Sequence, residues 1–600
     1  MSALVRGRVQ AAITAPSLGR PWIGSTLLLA LLLAGAPRTI AQQKSPAPAA
    51  GVAVAPSAAV QTDPVLKAMR EELDRSKSQL KMDNVPAPYY IEYRLSDVEE
   101  FSAEAAFGAL RQDQRGHARS LRVVVRVGDY KQDSYYGPGT GVANIAPRDD
   151  DPVALRRELW LATDRAYKMA SEALASKKAV LSQYTADQPF DDFARASALE
   201  SLGPIVKLDF SPAPWKETLE KVTNLYRGDA KIQSLSAWAR FRAVNDYFVN
   251  TEGTSTRQGY TVYSLNLSAE TQADDGMELG RSPFYVGATA AELPSQEKLL
   301  ADTAKMLATL KALREAPMVE EDYRGPVLFS NDAASDILDS MIGANILGIR
   351  PKPGDSARTS GEFSSNYKGR VLPTFLTVVD DPTMKSFGGK SLVGSYQIDE
   401  EGVRVAPLPV IKDGILVQYL LGRVPIRDFA DSNGHGRAAP GQAPSPNIGT
   451  LMLQPKESTS PEGLKKKLIA MCKDEGKPYG YYAETLVGYN PRLLYRVYVS
   501  DGHEELVRGA VFNELDTRTL RSNLVAAGND PLVSNRAGGV PTTVISPSIL
   551  FDELEVKRTD KKNAKLPEYP APDLPAHESQ VYRLGNSNLT PTRPTMGNPN

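Results

Sequence analysis

The chain has 600 residues, 42% of them apolar and 24% charged, with a formal net charge of −1. This is the composition of a soluble globular protein with a substantial core, and at roughly 150 residues per domain it allows three or four domains or two large ones. A net charge this close to zero excludes the global basic field that draws a protein to nucleic acid or anionic lipid.

Residues 1–41 carry the marks of an export signal. Arg6, Arg8 and Arg20 precede an apolar stretch at 23–36, and Thr39-Ile40-Ala41 offers small residues for cleavage. That stretch is short for a bilayer-spanning helix, and no later segment approaches the ~20 apolar residues of one. A periplasmic or secreted protein is expected, with an uncleaved anchor as the alternative. Residues 42–62, rich in Ala, Pro, Gln and Val, are expected to form a flexible linker. The only cysteine, Cys472, leaves no internal disulfide, and its apolar neighbours on a predicted helix mark it as a buried, inert thiol.

Helical spacing over 63–81 opens the folded part. Strands follow at 89–94, 101–110 and 120–127, with His117 placed on an exposed loop between the last two. Asp151-Pro152 caps a long helix to about 184. A helix at 215–225, strands at 230–244, 247–249 and 260–269, and a helix at 295–316 complete an α/β N-terminal domain over 63–318. A short buried strand at 325–330 and a helix from 331 to 347 begin a β-rich C-terminal domain over 319–558. Asp413-Gly414, flanked by apolar runs, predicts a two-residue β-hairpin turn. Ser460-Pro461 caps a helix to about 473, and further strands lie at 481–482, 494–500, 506–515 and 548–556. Residues 559–600, rich in Pro, Asn and Lys, are expected to form a disordered tail. The fold class is α+β.

Familiar catalytic signatures are missing. The sequence contains no His-Glu-x-x-His, Cys-x-x-Cys or Gly-x-Ser-x-Gly. His503 follows the turn pair Asp501-Gly502, and His577 lies in the tail. His435 stands between Gly434 and Gly436, where glycine would let the backbone approach a ligand closely, although a plain mobile loop fits the same residues. The acidic loop Asp399-Glu400-Glu401-Gly402 precedes the hairpin.

In order along the chain come Asn250-Thr251-Glu252-Gly253, Gly325-Pro326-Val327, Val379-Asp380-Asp381-Pro382, Ile398-Asp399-Glu400-Glu401-Gly402, Ile411-Lys412-Asp413-Gly414, Gly434-His435-Gly436-Arg437 and Gly528-Asn529-Asp530. This succession, over about 62–557, resembles the TldD/PmbA family, also called modulators of DNA gyrase. The resemblance implies a two-domain TldD/PmbA-like fold, homodimers or heterodimers around a chamber, and peptide hydrolysis at a zinc site. One branch carries His-Glu-x-x-x-His on the helix after the Gly-Pro strand, with a cysteine from near the C-terminus; its sister branch lacks these ligands and serves as partner. Here the motif's positions hold Asn331, Asp332 and Asp336, and the cysteine position, near Arg536-Ala537-Gly538, has no thiol. Zinc favours imidazole and thiolate, and an Asn amide is a poor ligand.

No metal and no cofactor is therefore expected on this chain, and whether it is itself an enzyme stays open. The first expectation is an exported, metal-free subunit of peptidase type, a pseudoenzyme, working with a metal-bearing relative on peptide or unfolded protein. Asp399, Glu400, Glu401, Gly402 and His435 would line its substrate groove. Alternatives are an active hydrolase built on Asp332, Asp336 and His435, or a non-enzymatic envelope binding protein. Asp332 and Asp336 share a helix face; a bland reading makes Asn331 or Asp332 the helix cap and Asp336 and Asp339 its solvated side.

Overall fold

The structure is a computed structural model that describes residues 62–184, 190–560, 563–569 and 572. The expected signal segment, nearly all of the linker, His577 and most of the tail lie outside the described residues. No helix among those described is long and apolar enough to cross a membrane.

Four long strands dominate the first half. Tyr90–Ala106 and Ala109–Arg126 form one hairpin, Ile232–Asn250 and Ser255–Gln272 another, and the two hairpins join antiparallel into an eight-stranded sheet. The predicted strands at 89–94 and 101–110 are thus one strand and the start of its partner. His117 lies within a strand rather than a loop, its Nε2 2.6 Å from Asp97 Oδ1. The outer half of Ala109–Arg126 is exposed throughout, so it carries no alternation to betray it.

Side chains alternate across this sheet with a functional consequence. The odd-numbered face is apolar and is covered twice. Ile91, Tyr93, Leu95 and Val249 pack under the helices Pro64–Gln79 and Pro152–Leu181. Phe101, Ala103 and Phe241 pack under Pro212–Thr223 and Gln296–Glu315. Asp63 and Asp151 cap the first pair through their carboxylates. The even-numbered face carries Glu92, Arg94, Ser96, Arg122, Arg126 and Asn250, all buried. Charged groups on a covered face need partners, and loops of the second half supply them. Arg94 donates to the Gln442 carbonyl, Arg242 to that of Gly538 at 2.6 Å, and Gln258 to that of Ile398 at 2.8 Å.

The second half holds two larger sheets and two of two strands each. Tyr323–Phe329 runs between Tyr479–Val487, parallel, and Ile549–Arg558, antiparallel, in a seven-stranded sheet. The other has six strands, with Leu376–Asp380, Thr450–Pro455 and Pro541–Ser546 inside and Leu532–Ala537 at one edge. Val327, Phe329, Val378, Leu451, Val544 and Phe551 share one core, and Ala333, Ala334 and Ile337 of the helix Asn331–Ile337 belong to it. The α-helical part of this element ends at Ile337, and the helical path continues through a π turn at Leu338–Ile342 and a 3-10 turn at Gly343–Asn345, close to its predicted end. The Asp413-Gly414 hairpin forms as predicted, with φ of +51° and +77°. Asn563 and Ala564, in the expected tail, are hydrogen-bonded at 2.9 and 3.1 Å to the Asp275 and Gly276 carbonyls.

Candidate functional site

The helix Asn331–Ile337 leaves the central strand through Ser330. The Ser330 hydroxyl accepts from Ala333 N–H at 3.1 Å and donates to the Glu484 carbonyl at 2.6 Å, so Ser330, not Asn331 or Asp332, is the cap. Asn331 Nδ2 donates to the Asp530 carbonyl at 2.9 Å. The remaining polar residues form an ion-paired group. Arg536 Nη2 lies 2.9 Å from Asp336 Oδ1 and 3.2 Å from the Ser335 carbonyl, and its Nη1 lies 3.0 Å from Asp339 Oδ2. Asp336 and Asp339 are thus paired, not a freely solvated face. Asp332 is exposed to solvent, with protein crowding one side of its carboxyl. Burial and then the neighbouring Asp336 raise its pKa, against the pull of Arg281 and Arg536. Burial raises Asp336 as well, outweighing Arg536. Arg281 donates to Thr485 Oγ1 at 2.7 Å. Glu278, Leu279 and Gly280, on the strand that ends at Arg281, line a cleft of about 390 Å³ together with Arg492, Arg508 and Asn563.

Asp399, Glu400, Glu401, Gly402 and His435 are brought together, but away from any open groove. Asp399 accepts from the N–H groups of Glu401, Val403 and Gly436 at 3.1, 2.8 and 2.9 Å, which fixes the acidic turn and ties it to the loop after His435. Gly402 closes the turn at φ +79°. Glu400 pairs with Arg437 at 2.8 Å. Glu401 accepts from Arg423 N–H at 2.6 Å, and a Cβ at Gly422 or Gly436 would overlap its carboxylate. The glycine beside His435 therefore admits Glu401 rather than a ligand. Asp399, Glu401 and His435 are buried, which corrects the expectation that these residues line a substrate groove.

His435 is itself 0% exposed, with Nδ1 2.8 Å from Asn433 Oδ1 and Nε2 3.5 Å from Asp380. It has no route to a substrate, and Asp336 is engaged by Arg536. The ring of His435 meets Asn433 and Asp380, and Asp336 meets Arg536; none of these contacts joins His435 to Asp332 or Asp336. Burial pushes Asp399 well above the carboxylate range, with the Glu401 charge adding to it, and burial raises Glu401 too.

The cluster is a clamp between the two halves. Arg423, fully buried, donates to Glu252 at 2.8 Å, to the Ala194 carbonyl at 2.7 and 3.0 Å and to the Tyr90 hydroxyl at 3.2 Å. Arg423 and Arg126 lie 4.0 and 3.6 Å over the Phe193 ring, and Arg126 pairs with Asp133 at 2.7 Å. Sequence reading missed Arg423, Arg437 and Arg536. Arg423 gave no signal beyond its residue type, whereas Arg437 closed the quoted segment Gly434-His435-Gly436-Arg437 and Arg536 stood in plain view at the vacant cysteine position.

Comparison with known proteins decides the ancestry. Residues 322–558 match the model of the PmbA/TldA metallopeptidase C-terminal domain. Over these residues the chain belongs to the TldD/PmbA family. It is 31% identical over 180 residues to Metalloprotease PmbA of Escherichia coli O157:H7, a stretch covering 30% of this chain and 37% of that one. It is 23% identical over 309 residues to a metalloprotease of Methanocaldococcus jannaschii, covering 50% of this chain and 63% of the other. These aligned stretches span less than two thirds of either relative. The fold is that of a protein described as a modulator of a DNA gyrase from Thermotoga maritima, with a TM-score of 0.55, 17% identity, and coverage of 81% of this chain and 100% of the other. The TldD/PmbA fold thus holds across the described part of the chain.

The family's metal does not fit this member. Among the described residues no three His, Cys, Asp or Glu side chains converge as a metal would require. The slot offers an amide turned to Asp530, and carboxylates of which two are held by a guanidinium.

Proposed function

We propose that this TldD/PmbA-family chain is an exported peptide-binding subunit that carries no metal of its own and supports hydrolysis of peptides or unfolded protein by a metal-bearing relative. The observation that carries this reading is Arg536, whose guanidinium is paired with Asp336 and Asp339 where the family's motif would hold an ion. In this reading an extended peptide would lie in the cleft lined by Glu278, Leu279 and Gly280. The buried clamp of Arg423, Glu252 and Glu401 joins the two halves.

The test is direct. The mature chain is purified alone and with a metal-bearing relative, and zinc content and cleavage of an unstructured peptide are measured. Less than a tenth of a zinc per chain is expected, with no cleavage alone and faster cleavage by the relative when the two are combined. One zinc per isolated chain, with cleavage, overturns the reading. Export is tested separately by N-terminal sequencing of protein from the periplasmic fraction, where a start near residue 42 is expected.

A further inference from the structure

We infer that Arg536 is a built-in cation: its guanidinium supplies the positive charge that this part of the fold requires, and it holds the slot helix to the sheet edge in place of a metal ion. This inference deepens the proposed function and rests on it. Asp336 on the slot helix and Asp339 on the turn after it both meet Arg536, and Asp336 also lies near Asp332. Like charges so placed repel, and burial makes the repulsion stronger than in water.

Arg536 answers that charge with two separate nitrogens. One takes Asp336 at 2.9 Å, the other Asp339 at 3.0 Å, and the first also reaches the Ser335 carbonyl at 3.2 Å. A planar fork reaching two carboxylates is a geometry that arginine supplies and lysine does not. The anchor point matters equally. Arg536 lies on Leu532–Ala537, an edge strand paired with Pro541–Ser546 on one side. Without the guanidinium, that edge loses its ionic tie to the helix.

A solvated surface pair would make the same contacts and contribute little, since Arg536, Asp336 and Asp339 keep 28%, 35% and 33% of their side-chain surface. The two readings part when the charge is removed. If the guanidinium stands in for a metal, Arg536→Gln leaves carboxylates that a hard divalent cation can satisfy. The experiment follows the melting temperature of the full mature chain with and without Ca²⁺ or Mn²⁺. Wild type should not respond. Arg536→Gln should melt lower and recover by about 2–4 °C with the cation, and Asp336→Asn/Arg536→Gln should lose that recovery.

If Arg536→Gln does not fold, the neutralised Asp336→Asn/Asp339→Asn/Arg536→Gln variant should fold, because both signs of charge are gone. Arg536→Gln that folds and ignores both cations overturns the inference whatever its melting temperature, as does a neutralised variant that also fails to fold. Neither result touches the proposed function, which falls instead if the wild-type chain holds stoichiometric zinc.

Discussion

Replacing Arg423 by Met tests whether buried charge holds the two halves together. Met keeps most of the volume and none of the donors. Glu252 loses its guanidinium at 2.8 Å, and the Ala194 carbonyl loses two donors at 2.7 and 3.0 Å. Removing one member of a buried pair costs ~3–5 kcal/mol, because the other is left uncompensated. Glu252 retains 13% side-chain exposure and the Tyr130 hydroxyl at 2.8 Å, so the lower end, about 3 kcal/mol, is expected. Urea unfolding of the protein gives this loss. A cycle with Glu252→Gln should show a coupling of about 1 kcal/mol or more. A loss below about 1 kcal/mol, or strictly additive costs, would refute the clamp.

Three further outcomes follow from the same geometry. Burial, reinforced by Glu400, raises the pKa of Asp246 from 3.8 to about 6, with Ser96, Arg94 and Arg437 also facing it. The folded chain then keeps a proton that the unfolded chain releases, so this stabilising contribution is whole below pH 3.8 and is lost as pH rises to about 6. Asp246→Asn should flatten that decline and gain on the order of 1–2 kcal/mol at pH 7; an unchanged slope in pH-dependent unfolding counts against it. Gly436→Ala should cost about 1–3 kcal/mol, because its methyl overlaps the Glu401 carboxylate, and a melting temperature equal to wild type would contradict this. Cys472, 0% exposed and with its pKa raised by burial, should react with a thiol reagent only as the chain unfolds; stoichiometric labelling of the native protein would show otherwise.

Local chemistry was the most legible part of the chain. Asp151-Pro152 caps its helix and Asp413-Gly414 turns its hairpin because those conformations depend on a few adjacent residues. The loss of the metal ligands at Asn331, Asp332 and Asp336 was equally plain from order along the chain. The outer half of Ala109–Arg126 was not, since a strand exposed on both faces leaves no alternation. His435 was misjudged because a glycine making room for Glu401 looks, in sequence, like one making room for a ligand.

Taken alone, the residues determine the caps, turns and apolar periodicity, the family's segment order, and the absence of the family's zinc ligands. Only the tertiary structure decided where the charges go. Arg423 meets Glu252 across 171 residues, and Arg536 meets Asp336 across 200. A charge's worth depends on its partner and on the water excluded around it, and neither is written in the neighbouring letters. The acidic loop accordingly became a buried clamp and not a groove, and an arginine became the slot's cation.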